Sequence, residues 1–235
     1  LMSINVYWTA VAGSGSMLAT PPESVMSTFL KKKFIDPNNP LSHIHHCPAF
    51  NDNFRNVFTM KSLYNYEFFL ENGTLTSKDY DQEFYDNHVV IRSYEKRFFT
   101  FMNSYLFFTD EPSLNATFYE YPCFEDNNIT QRCIPIAGQF DIGKWFRNTE
   151  FVFFLKHSHQ SFKIEQNEVY SYMRFHTHKK INFIEFNYSD KLKKFNQQRA
   201  EAITKVSRLK KLENYYKMFR HKKLILKEIK ENVIA

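Results

Sequence analysis

The stretch IPIAGQFDIGKWFRNTEFVFFLKHSHQSFKIEQNEVYSYMRFHTHKKINFIEF, Ile134 to Phe186, decides the kind of fold. Aromatic and β-branched runs lie close together in it, with polar turns between them. Such residues suit a pleated, half-buried surface, and short runs of them bounded by turn residues read as consecutive strands of an all-β core. The reading sets the fold class and leaves function open, because no catalytic motif of adequate specificity occurs in the chain.

The pattern extends outward in both directions. Strands are predicted over 54–60, 63–70, 88–94, 97–101, 104–109, 116–121, 129–136, 149–155, 161–166, 168–176 and 181–187. Asn72-Gly73, Asp110-Glu111-Pro112 and Asp126-Asn127-Asn128 punctuate them as turns. Residues 3–8, SINVYW, read as a first strand, 11–17 as a loop, and 77–87 as an acidic loop with a helical turn. Pro21-Pro22-Glu23 opens a helix through Lys33, since proline suits a first helical turn, and Val25, Met26, Phe29 and Leu30 fall at helical spacing. Asp36 to Pro40 is a turn. About ten short strands in one block predict a mainly β fold, a jelly-roll or cupin-like β-sandwich with a short N-terminal helix.

Asp190 caps a long helix over about 191–231, with Leu192, Phe195, Ala202, Val206, Leu209 and Tyr216 as a thin apolar stripe. A break falls near Phe219-Arg220-His221, and Leu224, Leu226 and Ile229 continue beyond it. About 40 residues of helix would reach roughly 60 Å, longer than a compact domain needs, so two helices or an extended arm are expected. The chain therefore divides into a β-sandwich domain, 1–189, and a basic helical C-terminal arm, 190–235.

Composition narrows the class further. The 26 Phe and 14 Tyr, with only 5 Gly and 8 Pro, supply a large core and exclude a disordered chain. The net charge of +6 is concentrated in the Lys- and Arg-rich 191–230 segment. A solvated helix face is the ordinary reading of such a run. Its functional reading is a partner surface, with Lys210, Lys211, Arg220 and Lys222 meeting an acidic protein, an acidic membrane surface, a second copy of the chain or nucleic acid. No apolar run reaches the roughly 18 residues of a membrane span. The N-terminus lacks signal-peptide character, so the chain is expected to act without secretion by that route. Cys47, Cys123 and Cys133 form no CxxC pair and read as reduced thiols, Cys47 as a small buried one.

Three constellations could carry chemistry. His43, His45, His46 and Cys47 are the densest set of potential ligands, and a metal held by His43 and His45 would need a distant third residue such as His88, His157 or His176. His157 and His159, with His176 and His178, would gather four imidazoles at a sheet end if their strands paired. No motif demands a cofactor; iron or another transition metal is what these histidines would hold, although no His-x-Asp or His-x-Glu completes an oxygenase site. The third set is GQFDIGKWFRNTE, where Trp145 could stack on a ligand while Arg147 and Asp141 orient it, with Arg92, Glu95 and Arg97 completing the pocket. The structural reading of that set is a core anchor with local ion pairs. There is no phosphate-cradling glycine loop and no Ser/His/Asp nucleophile signature.

NVYW at 5–8, PPESV at 21–25, HCPAF at 46–50 and KSLYNYEFFL at 61–70 carry a resemblance, continued by FFTFMNSYLFFTDEPSL at 98–114, by 119–156 and by KIEQNEVYSYMRFHTHKKI at 163–181. Across about 3–190 the chain resembles a family of uncharacterised proteins of marine T-even-like bacteriophages, and more distantly a bacterial domain of unknown function with the same order of blocks. The Gly-Ser loop at 13–16 departs from the tryptophan-bearing loop of that pattern. The resemblance implies a phage-encoded protein of the host cytoplasm or the virion and implies no activity. The leading expectation is a non-enzymatic binding or interaction protein, such as an accessory or minor virion component, with a phage or host protein as partner. Its competitors are a metal-dependent cupin-type oxygenase and nucleic-acid binding through the tail.

Overall fold

The structure is a computed structural model and describes residues 3–11, 19–27, 47–71, 74–77, 80–81, 83–84, 88–92, 97–101, 105–119, 127–205 and 221–234. These residues are mainly β. The strands are β1 (Ser3–Ala10), β2 (Val57–Lys61), β3 (Tyr66–Glu71), β4 (Thr74–Ser77), β5 (Val89–Ile91), β6 (Phe98–Phe101), β7 (Tyr105–Thr109) and β8 (Asn115–Tyr119). They continue with β9 (Cys133–Ile136), β10 (Gln139–Asp141), β11 (Phe151–Leu155), β12 (Ser161–Ile164), β13 (Val169–Phe175) and β14 (Lys180–Glu185). Four sheets result, in the orders β14-β1-β7, β10-β8-β13-β2, β5-β6-β11-β9 and β12-β3-β4. Early strands meet late ones in nested fashion: β1 with β14, β2 with β13, β3 with β12 and β6 with β11. The β1–β14 pair is parallel, and the other three are antiparallel.

Alternation drives this arrangement. In β11, FVFFL, Phe151, Phe153 and Leu155 are buried while Val152 and Phe154 are half-buried on the other face. The inward residues build an aromatic core: Phe99 stacks on Phe162 at 4.6 Å and on Phe153 at 5.7 Å, and Phe68 meets Phe162 at 4.9 Å. Each such ring pair adds roughly 0.5–1.5 kcal/mol beyond the burial of its area. β13 shifts register between Val169 and Ser171, and Tyr170 is buried in this core.

Several boundaries differ from the sequence expectation. Residues 129–132, predicted as the start of a strand, lie in a short helix, α2 (Asn128–Arg132). The Asn127 side chain accepts from the Thr130 amide at 3.1 Å and the Thr130 hydroxyl accepts from the Asn127 amide at 3.1 Å, a reciprocal cap that outweighs the β-branched character of the run. Phe54 ends α1 (Pro48–Phe54) instead of opening β2. Of the expected N-terminal helix, residues 25–27 are helical, with Val25 buried beside Phe54, Val57 and Tyr172; residues 28–33 lie outside the described ones.

The C-terminal segment, expected as two helices or an extended arm, forms two described helices that pack on the β domain. α3 (Asp190–Lys205) and α4 (Lys222–Glu231) share a second core with the β14-β1-β7 sheet, in which Leu192, Ile225 and Ile229 pack with Tyr7, Leu106, Phe108, Phe146 and Phe186. His221, where a break was expected, is the N-cap of α4. Glu228 accepts hydrogen bonds from Ser189 Oγ at 2.9 Å and Lys191 Nζ at 2.6 Å, which ties α4 to the start of α3. Among the described residues no helix is long and apolar enough to cross a membrane. Cys133 is buried and unbridged, and burial pushes its thiol up to about 12. Cys47 is exposed, not buried as expected, because it lies just outside α1 as its N-cap. Cys123 lies outside the described residues.

Candidate functional site

The β5-β6-β11-β9 sheet presents an apolar outer face. Register places Ile134 opposite Phe154 and Phe154 opposite Phe98 in one row, and Ile136, Val152, Val90 and the polar, fully buried Thr100 in the next. Ile134 and Ile136, on the edge strand β9, are 45% and 38% exposed. Phe98 and Phe154 are half-buried with rings 4.8 Å apart, and His157 sets its ring edge against Phe154 at 5.2 Å. Pro135 sits between the two isoleucines and offers no N–H, which disfavours a further strand pairing onto this edge. The face, not the edge, is the available feature.

Three of the four residues expected at a ligand site border this face. Arg92 donates from Nε to Thr100 Oγ1 at 3.1 Å and from Nη2 to Glu150 Oε2 at 2.6 Å. Glu150 also accepts from Arg147, and the Arg147 guanidinium lies 4.9 Å from the centre of the Trp145 ring. Arg92, Glu150, Arg147 and Trp145 thus form one continuous polar and aromatic rim. Asp141 does not join it. Its carboxylate accepts from Ser113 Oγ at 2.6 Å, Lys144 Nζ at 2.7 Å and the amides of Gly143 and Leu114 at 2.9 and 3.0 Å. Burial pushes this carboxyl upward, but the hydrogen bonds, led by Lys144 and Ser113, outweigh it and hold the group below the ordinary carboxylate value. Asp141 therefore holds its own loop together. Arg97 is bonded to the Leu155, Lys156 and His159 carbonyls, and Glu95 lies outside the described residues.

A second feature lies at the end of the β10-β8-β13-β2 sheet. The C-terminal end of α1 and the turn after β13 enclose a cleft of about 320 Å³. Arg55 bonds Asp52 Oδ1 at 2.6 Å and His178 Nδ1 at 3.1 Å; His176 Nε2 is 2.6 Å from Thr117 Oγ1. Arg174 reaches the Asp52 carbonyl at 3.4 Å. Asn56, at φ 55°, donates to the carbonyls of Thr177 at 2.7 Å and Lys179 at 3.0 Å and so pins the histidine turn to the arginine side. Asparagine tolerates that left-handed backbone better than most residues. Partial desolvation, followed by the charge of Arg174, holds the His176 imidazole below its ordinary value. Arg55, Asp52, Asn56 and Arg174 were not singled out in the sequence; their only signal there was the neighbourhood of two alternate histidines.

The four-imidazole cluster does not form, because β11 pairs with β6 and β9 while β13 pairs with β2 and β8. His157 and His159 therefore sit in the β11–β12 turn, and His176 and His178 line the cleft. His43 and His45 lie outside the described residues, and among the described ones no group of three or more His, Cys, Asp or Glu is placed to hold a metal. His88 donates from Nδ1 to the Phe84 carbonyl at 2.7 Å and stacks on the Phe84 ring. Of the predicted partner residues, Lys210, Lys211 and Arg220 lie outside the described residues. Lys222 is turned inward: its ammonium bonds the Glu111 carbonyl, lies 5.7 Å from the Phe108 ring centre, and is held below its ordinary value by burial. It docks α4 and is not available to a partner. No protein-family model, curated protein or solved structure matches this chain.

Proposed function

We propose that the chain is a non-enzymatic binding protein of a bacteriophage, acting in the host cytoplasm or as a minor virion component, that docks another protein on the outer face of the β5-β6-β11-β9 sheet. The resemblance across 3–190 supports the phage origin, and the nested strand pairing supports a jelly-roll-like sandwich. The observation that carries the docking reading is the two-row apolar face with Ile134 and Ile136 exposed, bordered by Trp145 and Arg147. Apolar centres with aromatic and arginine neighbours are where interfaces concentrate binding energy.

The rim decides the kind of partner. Among the described residues Arg92 and Arg147 share the single carboxylate of Glu150 beside the face, so a second copy would bring like charges together. The partner that fits has an apolar patch ringed by Asp and Glu. The test uses tagged wild-type chain and the variants Ile134→Glu and Arg147→Glu as baits in extract of infected host cells. A stoichiometric partner retained by the wild type and lost by both variants is expected. Equal recovery by all three baits, or self-association of the purified chain through the same face, overturns the reading.

A further inference from the structure

We propose that the cleft between α1 and the turn after β13 is a binding site for a small phosphate monoester. This goes beyond the docking face, which lies on a different sheet. Two guanidiniums, Arg55 and Arg174, and two imidazoles, His176 and His178, line the cleft against one carboxylate, Asp52. With both imidazoles neutral the set carries an excess of positive charge, which attracts an anion and opposes a metal ion.

The geometry is built before any ligand arrives. Asp52 and His178 each take one terminal nitrogen of Arg55, which fixes the plane of that guanidinium. The Arg55–His178 contact needs His178 Nδ1 as an acceptor, so its Nε2 carries the proton and is a donor. Arg174 makes one long bond, to the Asp52 carbonyl, and retains most of its donors for a ligand. Asn56 and the Phe175 amide, which donates to the Asn56 carbonyl at 3.0 Å, hold the two sides at a fixed separation. Planar guanidinium forks are suited to the oxygens of a phosphate and bond them in pairs. A cleft of about 320 Å³ exceeds the need of a bare ion and leaves room for a small organic group on the ester oxygen. Two guanidiniums in one cleft can grip the oxygens of one phosphate, so a single monoester fits where a polymeric backbone, with its phosphates spaced along a strand, does not.

The test is calorimetric titration of the full chain in chloride buffer with inorganic phosphate, ribose 5-phosphate and a short single-stranded oligonucleotide, on wild type, Arg174→Gln and His176→Gln. Saturable binding of phosphate and tighter binding of ribose 5-phosphate are expected. Losing one charge-assisted contact weakens binding by about tenfold or more, so Arg174→Gln should fall by that factor with an unchanged melting temperature. Should Arg174→Gln melt early, His176→Gln decides, with the same loss expected. Absence of saturable phosphate binding overturns the proposal, as does wild-type affinity in the folded variant, or binding of the oligonucleotide alone.

Discussion

Glu228 shows how one side chain can fix two elements. Its carboxylate joins Ser189 and Lys191 across to α4, and the hydrogen bond from Lys191, then that from Ser189, hold it below its ordinary value of 4.5 against the opposing effect of burial. A depressed carboxyl stabilises the fold fully above its unfolded value and loses that contribution as pH falls through the folded one. Glu228→Gln should therefore melt earlier than wild type at pH 7, with the gap closing as pH drops below 4.5; melting curves across that range check it. Gly143 is constrained by space: a Cβ there would lie 2.8 Å from the Glu111 carbonyl oxygen, which is backbone and cannot step aside. Gly143→Ala should cost roughly 1–3 kcal/mol in denaturant unfolding and loosen the loop that presents Trp145.

At the scale of elements, α2 depends on a reciprocal cap, and Asn127→Ala should lower stability by about 1 kcal/mol, read from the urea midpoint. Within the main core, Phe99 touches rings from β11 and β12, so Phe99→Ala should cost roughly 3–5 kcal/mol by the same measurement. These elements also show what the sequence reveals. Strands such as β11 and β13 were legible as runs of aromatic and β-branched residues bounded by polar turns. β4 and β10, at four and three residues, were missed because they are too short and polar to show a period. The helix at 128–132 was masked by Ile129 and Ile134, although Asn127 and Thr130 carried the cap signal. The rim was legible in its members and not in its pairing: Arg92 and Glu150 are 58 residues apart and meet only through sheet register. The cleft was less legible still, since Arg55 and His178 are separated by 123 residues.

At the scale of the molecule, the C-terminal helices complete the fold. Ile225 is fully buried against the second core, and Ile225→Ala should cost about 2–5 kcal/mol. Deleting 222–235 should uncover Phe108, Phe146 and Phe186, giving a lower melting temperature and binding of a hydrophobic dye; a truncated chain as stable as the full one would show that α4 is dispensable. The parallel β1–β14 pair has a consequence in time. Asn5 and Asn182 meet across 177 residues, so β1, which can pair earlier with β7, waits for the much later β14 to complete its sheet. Closing so long a loop taxes entropy before any contact rewards it, which makes assembly slow. Through that interval the edge of β1 that receives β14 stays open. The hazard for this protein is thus an open sheet edge during synthesis, and the β1 amides that face β14 should gain protection after those that face β7 when refolding is followed by pulsed hydrogen exchange.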